Sequence, residues 1–320
     1  MTAPEILCLG ELLVEIMRTE IDIPHREVGR TYRGPFPSGA PANFIDSAAR
    51  LSKPYNLSTG FVGVIGNDEF GSCIINKFKK DNVDISQIRV DNTQTTGIAF
   101  NQYNSDGSRK FIFAAGAAGA THPDDVNSDY FKNIQCLHIM GSALSISEHS
   151  KEACYKAIRI AKTANPEVII SFDPNLRPEM MEIDKIIEIC EPVLKDTTIL
   201  LPSGEEAEML ARIEGGEEAC KQLLNHGPEI VVLKRGNKGC KIFSSEIIDG
   251  IEVPSFKVEE VDPTGAGDAF GGAFIVGYLL NWDLEKTGKF ANAAGALKVE
   301  FFGPMSDTTY EEVIKLINKK

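Results

Sequence analysis

ACYKAIRIAKTANPEVIISF, residues 153 to 172, changes its period halfway along. Ala153, Ala157, Ile160 and Ala161 recur at the three- and four-residue spacing of one helix face, whereas EVIISF (167 to 172) is a short β-rich run of strand length. The same alternation extends in both directions. EILCLG (5 to 10), CLHIM (136 to 140), TTILL (197 to 201) and EIVVLK (229 to 234) read as strands, and Ile183, Ile186, Ile187 and Cys190 read as a further helix face. Strand and helix alternating along most of the chain imply an α/β fold with a mostly parallel sheet and helices on both faces.

One region breaks the rhythm. TGIAFNQYN (96 to 104) and SRKFIFA (108 to 114) flank the turn signal SDG and predict a β-hairpin. The stretch 16 to 37 holds Pro24, Pro35 and Pro37 and cannot be a long helix. Together they predict a small β-structured lid inserted in a larger body. No internal repeat, low-complexity tract or flexible linker is visible.

With 320 residues the chain can bury one or two sizeable cores. Its 42% hydrophobic and 25% charged residues are ordinary for a soluble globular protein. A net charge of -13 repels phosphate backbones and anionic membranes, and KFKK (77 to 80) reads as a solvated helix face rather than a nucleic-acid patch. Seven cysteines, none in a C-x-x-C pair, read as reduced and mostly buried thiols. MTAPEILCLG has neither the basic region of a signal peptide nor a transit-peptide pattern, and no apolar run reaches the roughly 20 residues of a membrane helix. The expectation is a cytoplasmic protein.

The chemistry concentrates in DPTGAGDAFGGAF, residues 262 to 274, which opens an apolar run. Glycines at 265 and 267 allow a tight turn and close approach to a ligand, and the helix that follows offers unpaired N–H groups and a positive dipole end. Such a mouth suits phosphate; a carboxylate there, Asp268, suits a proton acceptor for an attacking hydroxyl. The plain alternative is that Asp262 and Asp268 cap a helix behind a tight turn. Other motifs are absent: no G-x-x-x-x-G-K-[ST], no G-x-S-x-G, and a glycine spacing one residue too wide for G-x-G-x-x-G. His25, His122, His138, His149 and His226 lack metal-ligand spacing and read as structural.

DPTGAGDAFGGAF resembles the C-terminal signature of the ribokinase-like carbohydrate kinases of phosphofructokinase B type, and PSGAPANFIDSAARL (37 to 51) resembles their N-terminal one. GVIGNDEFG (63 to 71), DPNLRPEM (173 to 180), LPSGEEAEML (201 to 210), VVLKRGNKG (231 to 239) and ANAAGAL (291 to 297) are similar to family blocks in family order. The resemblance implies a ribokinase-like three-layer α/β/α sandwich, a single domain over 1 to 320, with lid segments at approximately 12 to 37 and 95 to 115.

It also implies roles. Asp268 matches the catalytic base toward a sugar hydroxyl attacking the γ-phosphate of ATP, and the amides of Gly265, Ala266 and Gly267 match the anion hole. Lys234, Gly236 and Gly239 align with the ATP-binding strand-turn and Asn292 with the wall of the base pocket; the alternative for Lys234 is a solvated strand end. Ser203 and Glu206 stand in a block that organises Mg2+ through water, with Ser203 replacing the family's asparagine. Asp262 and Thr264 match a loop that binds a monovalent cation in several relatives, which leaves K+ dependence open. Gly39 and Asn43 match sugar-hydroxyl ligands, with Pro41 in the first turn of a helix that turns Phe44, Ala48 and Leu51 to the core. Glu15 stands where relatives carry a sugar-gripping aspartate, or is a surface carboxylate at a strand end. Arg177 resembles an arginine of fructokinases and 2-keto-3-deoxygluconate kinases, or makes a helix-cap salt bridge.

Those two activities frame the substrate. Relatives specific for the acid sugar carry tyrosine and arginine on the returning lid strand, at positions aligned with Ile112 and Ala114, and Ala99 supplies no tyrosine. A carboxylate against that apolar strand lacks a partner, which favours a neutral ketose such as fructose or tagatose; Arg109 or Lys110 would rescue the acid reading if the register slips by one. A kinase-like binding protein without turnover is the contrasting class. Exposed lid edges predict a homodimer through the lids.

Overall fold

The computed structural model describes residues 3–106, 108–176 and 181–319. Among these, thirteen strands form two sheets. They are β1 (Ile6–Leu9), β2 (Leu13–Arg18), β3 (Tyr32–Ser38), β4 (Thr59–Gly66), β5 (Val83–Asp91), β6 (Gly97–Tyr103), β7 (Arg109–Ala114), β8 (Cys136–Met140), β9 (Ile169–Asp173), β10 (Ile199–Leu200), β11 (Ile230–Lys234), β12 (Cys240–Ser244) and β13 (Ile251–Val253). The larger sheet runs β13-β12-β11-β10-β9-β8-β1-β4-β5, parallel from β11 to β5 and antiparallel only at β12 and β13. The α/β reading holds.

Alternate residues of the central strands feed different cores, as the two-residue strand period requires. Ile6 and Cys8 enter one apolar cluster and Leu7 and Leu9 the other; Ile230 and Val232 separate from Val231 and Leu233 in the same way. Helices cover both faces. Glu148–Ala164, carrying Ala153, Ala157 and Ala161, and Ile183–Asp196, carrying Ile186 and Cys190, pack on the second cluster. On the opposite face the helices Ala40–Ser52 and Ala266–Leu279 lie against each other. Gly272 sets their separation, because a Cβ there would come 2.7 Å from Phe44 O and 2.9 Å from Ala48 N.

The small sheet, ordered β3-β2-β6-β7, holds the predicted hairpin as β6 and β7. β2 joins β6 in parallel and β3 antiparallel, and its pairing with β3 is bulged between Glu15 and Met17. The two irregular regions of the sequence therefore form one sheet. β7 is exposed along its length.

All seven cysteines are free, and all but Cys73 are buried. His138 is buried, stacks on Phe44 with centroids 3.6 Å apart and shares a 2.9 Å hydrogen bond between Nδ1 and Ser171 Oγ. Burial holds its pKa well below the ordinary value, so it is a neutral core residue. No helix among the described residues is long and apolar enough to cross a membrane. KFKK is a correction: Lys80 is exposed, but Lys77 is largely covered and paired with Asp81 (2.7 Å), Asp307 (2.9 Å) and the buried Asp46 (3.7 Å). Helical spacing put Lys77 one turn before Asp81, and Phe78 pulls this part of the helix inward.

Candidate active site

Gly265 caps the helix Ala266–Leu279 in a left-handed conformation, φ 80°. A Cβ there would meet Pro304 O at 2.0 Å, so the turn that presents the helix mouth requires glycine on two counts. Of the three residues expected to form an anion hole, Ala266 turns its amide back to Pro263 O (3.2 Å), and Gly267 leaves its side-chain position beside Lys234, with Nζ 3.7 Å from where a Cβ would stand. Asp268 occupies the first helical turn, 8% exposed.

Asn43 arrives from the other signature. Pro41 opens the helix Ala40–Ser52 as expected, Phe44, Ala48 and Leu51 are buried, and Asn43 Nδ2 donates to Asp268 Oδ2 at 2.8 Å. Asn43 Oδ1 is buried with no hydrogen-bond partner among the described residues, beside the Asp268 carboxylate. Gly39 caps this helix with its position packed on Glu11 O.

Next to these groups lies a cavity of about 230 Å3 lined by Glu11, Glu15, Gly39, Ala99 and Ser142, with Phe111 and Phe113 from β7. Glu15 is no surface carboxylate: it is buried, accepts from Ser38 Oγ (2.6 Å) and also bonds Asn101. Burial raises its pKa against those two hydrogen bonds. Glu11, absent from the sequence expectations, accepts from Ser142 Oγ at 2.6 Å. The pairing of β6 with β7 corrects the lid register. Phe111 and Phe113 face the cavity and Arg109 shares their side of the strand, so Ile112 and Ala114 point away. Arg109 reaches Thr264 Oγ1 at 3.3 Å.

On the other side of the helix mouth, Lys234 pairs with Asp173 at 2.5 Å and is not a solvated strand end. Burial pushes the Asp173 carboxyl up to about 7 despite this partner. For Lys234 burial acts in the opposite sense to Asp173, Glu206 and Asp268, and the carboxylates win, holding the ammonium above its ordinary value. Ser203 caps the helix Gly204–Ala211, and Glu206 closes a capping box through Ser203 N (2.7 Å) while also accepting from Leu176 N (3.2 Å). Both carboxylate oxygens keep a second acceptor position. No group of three His, Cys, Asp or Glu side chains among the described residues could cage a metal ion.

Gly236 starts the turn Gly236–Lys238 and Gly239 ends it against Val253 O. Asn292 Nδ2 donates to Val253 O (2.9 Å) and Pro254 O (3.2 Å), so its amide shapes this wall through the backbone. Arg177 lies outside the described residues.

The Asp262–Thr264 loop is the most heavily bonded part of the site. Asp262 Oδ1 accepts from Thr264 N (3.0 Å) and Tyr103 OH (2.9 Å), and Oδ2 accepts from Gly303 N (2.7 Å). Tyr103, on β6, also lies 2.6 Å from Thr264 Oγ1, tying the lid to the loop before Gly265. Lys298 Nζ, buried, donates to Asp262 O (2.8 Å) and Phe301 O (3.2 Å). Sequence reasoning missed Tyr103, Asp173 and Lys298; the detectable signal was a lone lysine in the otherwise apolar ending of AAGALKV.

Residues 3–309 match the profile of the pfkB family of carbohydrate kinases. The chain is 32% identical to a 5-dehydro-2-deoxygluconokinase of Clostridium perfringens, over 99% of this chain and 93% of that protein. It is 31% identical to fructokinase-2 of Zea mays, over 91% of this chain and 87% of that protein. The solved structure of an E. coli protein named as a candidate ribokinase II, in complex with ATP and Mg2+, is 39% identical and superposes with a TM-score of 0.89, covering 98% of this chain and 99% of that one.

Proposed function

Because the chain belongs to the pfkB family of carbohydrate kinases and carries the ribokinase-like fold, we propose that it is an ATP-dependent kinase of a small neutral ketose. That it is a phosphotransferase acting on a sugar hydroxyl follows from the family; the sugar and the residue roles are our reading. The observation that carries it is Asp268, in the first turn of a glycine-opened helix, bonded to Asn43 beside a cavity roofed by the lid.

Asp268 takes the proton of the attacking hydroxyl, help typically worth ~10² to 10⁴ in rate. The amides of Gly265, Ala266 and Gly267 receive the charge that builds on the moving phosphoryl group, reinforced by the helix dipole. Lys234, oriented by Asp173, holds the phosphates of ATP, and Gly236, Gly239 and Asn292 shape the nucleotide wall. Bound ATP and Mg2+ in the E. coli relative support the same pair here. Glu206 and Asp173 supply hard oxygen donors suited to hold Mg2+ through water, where it would neutralise phosphate charge. Asn43, Glu15, Glu11 and Ser142 grip the sugar hydroxyls, and Gly39 shapes the cavity; Arg177 is kept as a ligand from the resemblance alone. The lid strands exclude water during transfer.

Two carboxylates in the cavity and phenylalanines above it favour an uncharged sugar. A second reading, an acid sugar, rests on Arg109 standing on the cavity side of β7 and on the likeness to the clostridial kinase. A screen of ADP release with Mg2+ and ATP over fructose, tagatose, ribose, adenosine and 2-keto-3-deoxygluconate tests both, with Asp268→Ala as control. Turnover on a neutral ketose that vanishes in the variant supports the first reading; preference for the acid replaces it with the second.

The one domain spans 1–320 in this reading, works in the cytoplasm and pairs through its lids. Edge strand β7, with Ile112 52% exposed on the face away from the sugar, favours such pairing. Sedimentation showing only monomer at micromolar concentration would sink it.

A further inference from the structure

Asp262 and Thr264 match a loop that binds a monovalent metal ion in several relatives, and the residues of this chain do not fit one. Asp262 already accepts through its carboxylate from Thr264 N, Tyr103 OH and Gly303 N, and through its carbonyl from Lys298 Nζ. Backbone bonds from Val261 N (2.7 Å) and Asp262 N (3.0 Å) to Val299 O fasten the loop to the end of the helix that carries Lys298. Among the described residues, positive charge reaches this loop from side chains, the Lys298 ammonium at Asp262 O and the Arg109 guanidinium 3.3 Å from Thr264 Oγ1.

Lys298 is 1% exposed. A buried ammonium without a task is costly, and the aliphatic neighbours of Lys298 in its helix make a lysine an unforced choice there. Its nitrogen donates to two backbone carbonyls, Asp262 O in the loop and Phe301 O just past the end of its own helix, which are the kind of oxygens that a monovalent metal ion would bind. It stands at the C-terminal end of the helix Leu284–Val299, where the dipole favours positive charge. Burial pulls its ammonium down to about 8, and Arg109 adds to this, while the carboxylates of Asp262, Glu15 and Asp268 pull the other way, so the group is mainly charged at pH 7.

We propose that Lys298 is a tethered cation: its ammonium holds the loop Asp262–Thr264 behind the anion hole in place of a monovalent metal ion, so that this enzyme needs no K+. The inference rests on the kinase reading for its catalytic arm only. Lys298 is a positioning residue; it acts through the loop that leads into Gly265 and, through Tyr103, on the lid. A covalently supplied cation has no dissociation constant, so the anion hole stays formed whatever the ionic composition.

The test compares the parent with Lys298→Ser and Lys298→Met in KCl and in choline chloride at equal ionic strength. Thermal unfolding, which needs no substrate, is expected to give the parent the same melting temperature in both salts. Lys298→Ser melts lower and gains stability in KCl, because a site opened at the carbonyls then takes the metal ion. In the kinase assay the parent turns over within about twofold in the two salts, whereas Lys298→Ser loses roughly tenfold or more in choline and recovers part of it in KCl. A parent stabilised or activated by KCl and not by choline overturns the proposal, as does Lys298→Met with full turnover in choline or a serine variant indifferent to KCl. If no sugar is turned over, the kinase reading has failed and the melting comparison still decides on the cation; if the serine variant does not fold, the parent's response decides alone.

Discussion

Asn43 and Asp268 stand 225 residues apart in the chain and 2.8 Å apart in space, amide nitrogen to carboxylate oxygen. One comes from each signature, and both sit in the first turn of a helix, so two helix N-termini converge where a hydroxyl would lose its proton. The bond fixes the carboxylate's rotamer and stabilises its charged form. Asp268→Asn, near in size, is expected to lower kcat by ~10² to 10⁴ while the melting temperature and the KM for ATP change little. Steady-state kinetics beside thermal melts check this.

Asn43→Asp should act on the pH profile. A second carboxylate against Asp268 makes it harder to ionise both, so the acid limb of log kcat/KM moves to higher pH by about one unit or more. A limb that stays in place would mean that Asp268 is not the titrating base.

Gly265→Ala combines two faults, a left-handed φ of 80° and a Cβ 2.0 Å from Pro304 O. Strain of about 1 to 3 kcal/mol is expected in unfolding free energy, and the displaced turn should cost a further ~10² in kcat by misaiming the anion-hole amides. Denaturant titration separates the two effects.

Lys234 and the buried Asp173 form a pair that is largely withdrawn from solvent and whose members do not survive separately. Lys234→Met strands a buried carboxylate and should destabilise the protein by about 3 kcal/mol or more. Adding Asp173→Asn should recover most of that stability and none of the affinity for ATP. A double-mutant cycle in melting and in nucleotide binding measures both.

The layers were legible because five strands of the large sheet, β1, β8, β9, β10 and β11, lie in short apolar runs alternating with helices of clear period, whereas β5, VDISQIRVD, does not. CLHIM is β8, residue for residue, and Glu148–Ala164 follows its alanine stripe. The helix mouth was legible for a local reason too, since glycine and aspartate at fixed offsets are consequences of one turn. What stayed hidden were pairings across distance. Tyr103 with Asp262, and Lys234 with Asp173, leave no local trace because ordinary residues make them. The lid register failed for a different reason: an exposed strand apolar at Phe111, Ile112 and Phe113 alike has no alternation to say which face is inward. Lys77 was misread because its charge suggested solvent, while three aspartates from separate segments draw it inward.

That last cluster sets a pH dependence. Asp46 is fully buried, and burial lifts its carboxyl to about 6 although Arg50 and Lys77 pull the other way. A folded-state pKa above the unfolded one means that the group favours folding in its protonated form. Its contribution is therefore full below an unfolded value of 3.8 and is lost as pH rises through about 6. Asp46→Asn removes this titration. Whatever the sign of the stability difference at pH 7, it should move in the variant's favour by up to about 3 kcal/mol between pH 4 and 7. Urea titrations of parent and variant across that range check it. A difference moving toward the parent would mean that the pairs with Arg50 and Lys77 outweigh burial, with the Asp46 carboxyl ionised throughout.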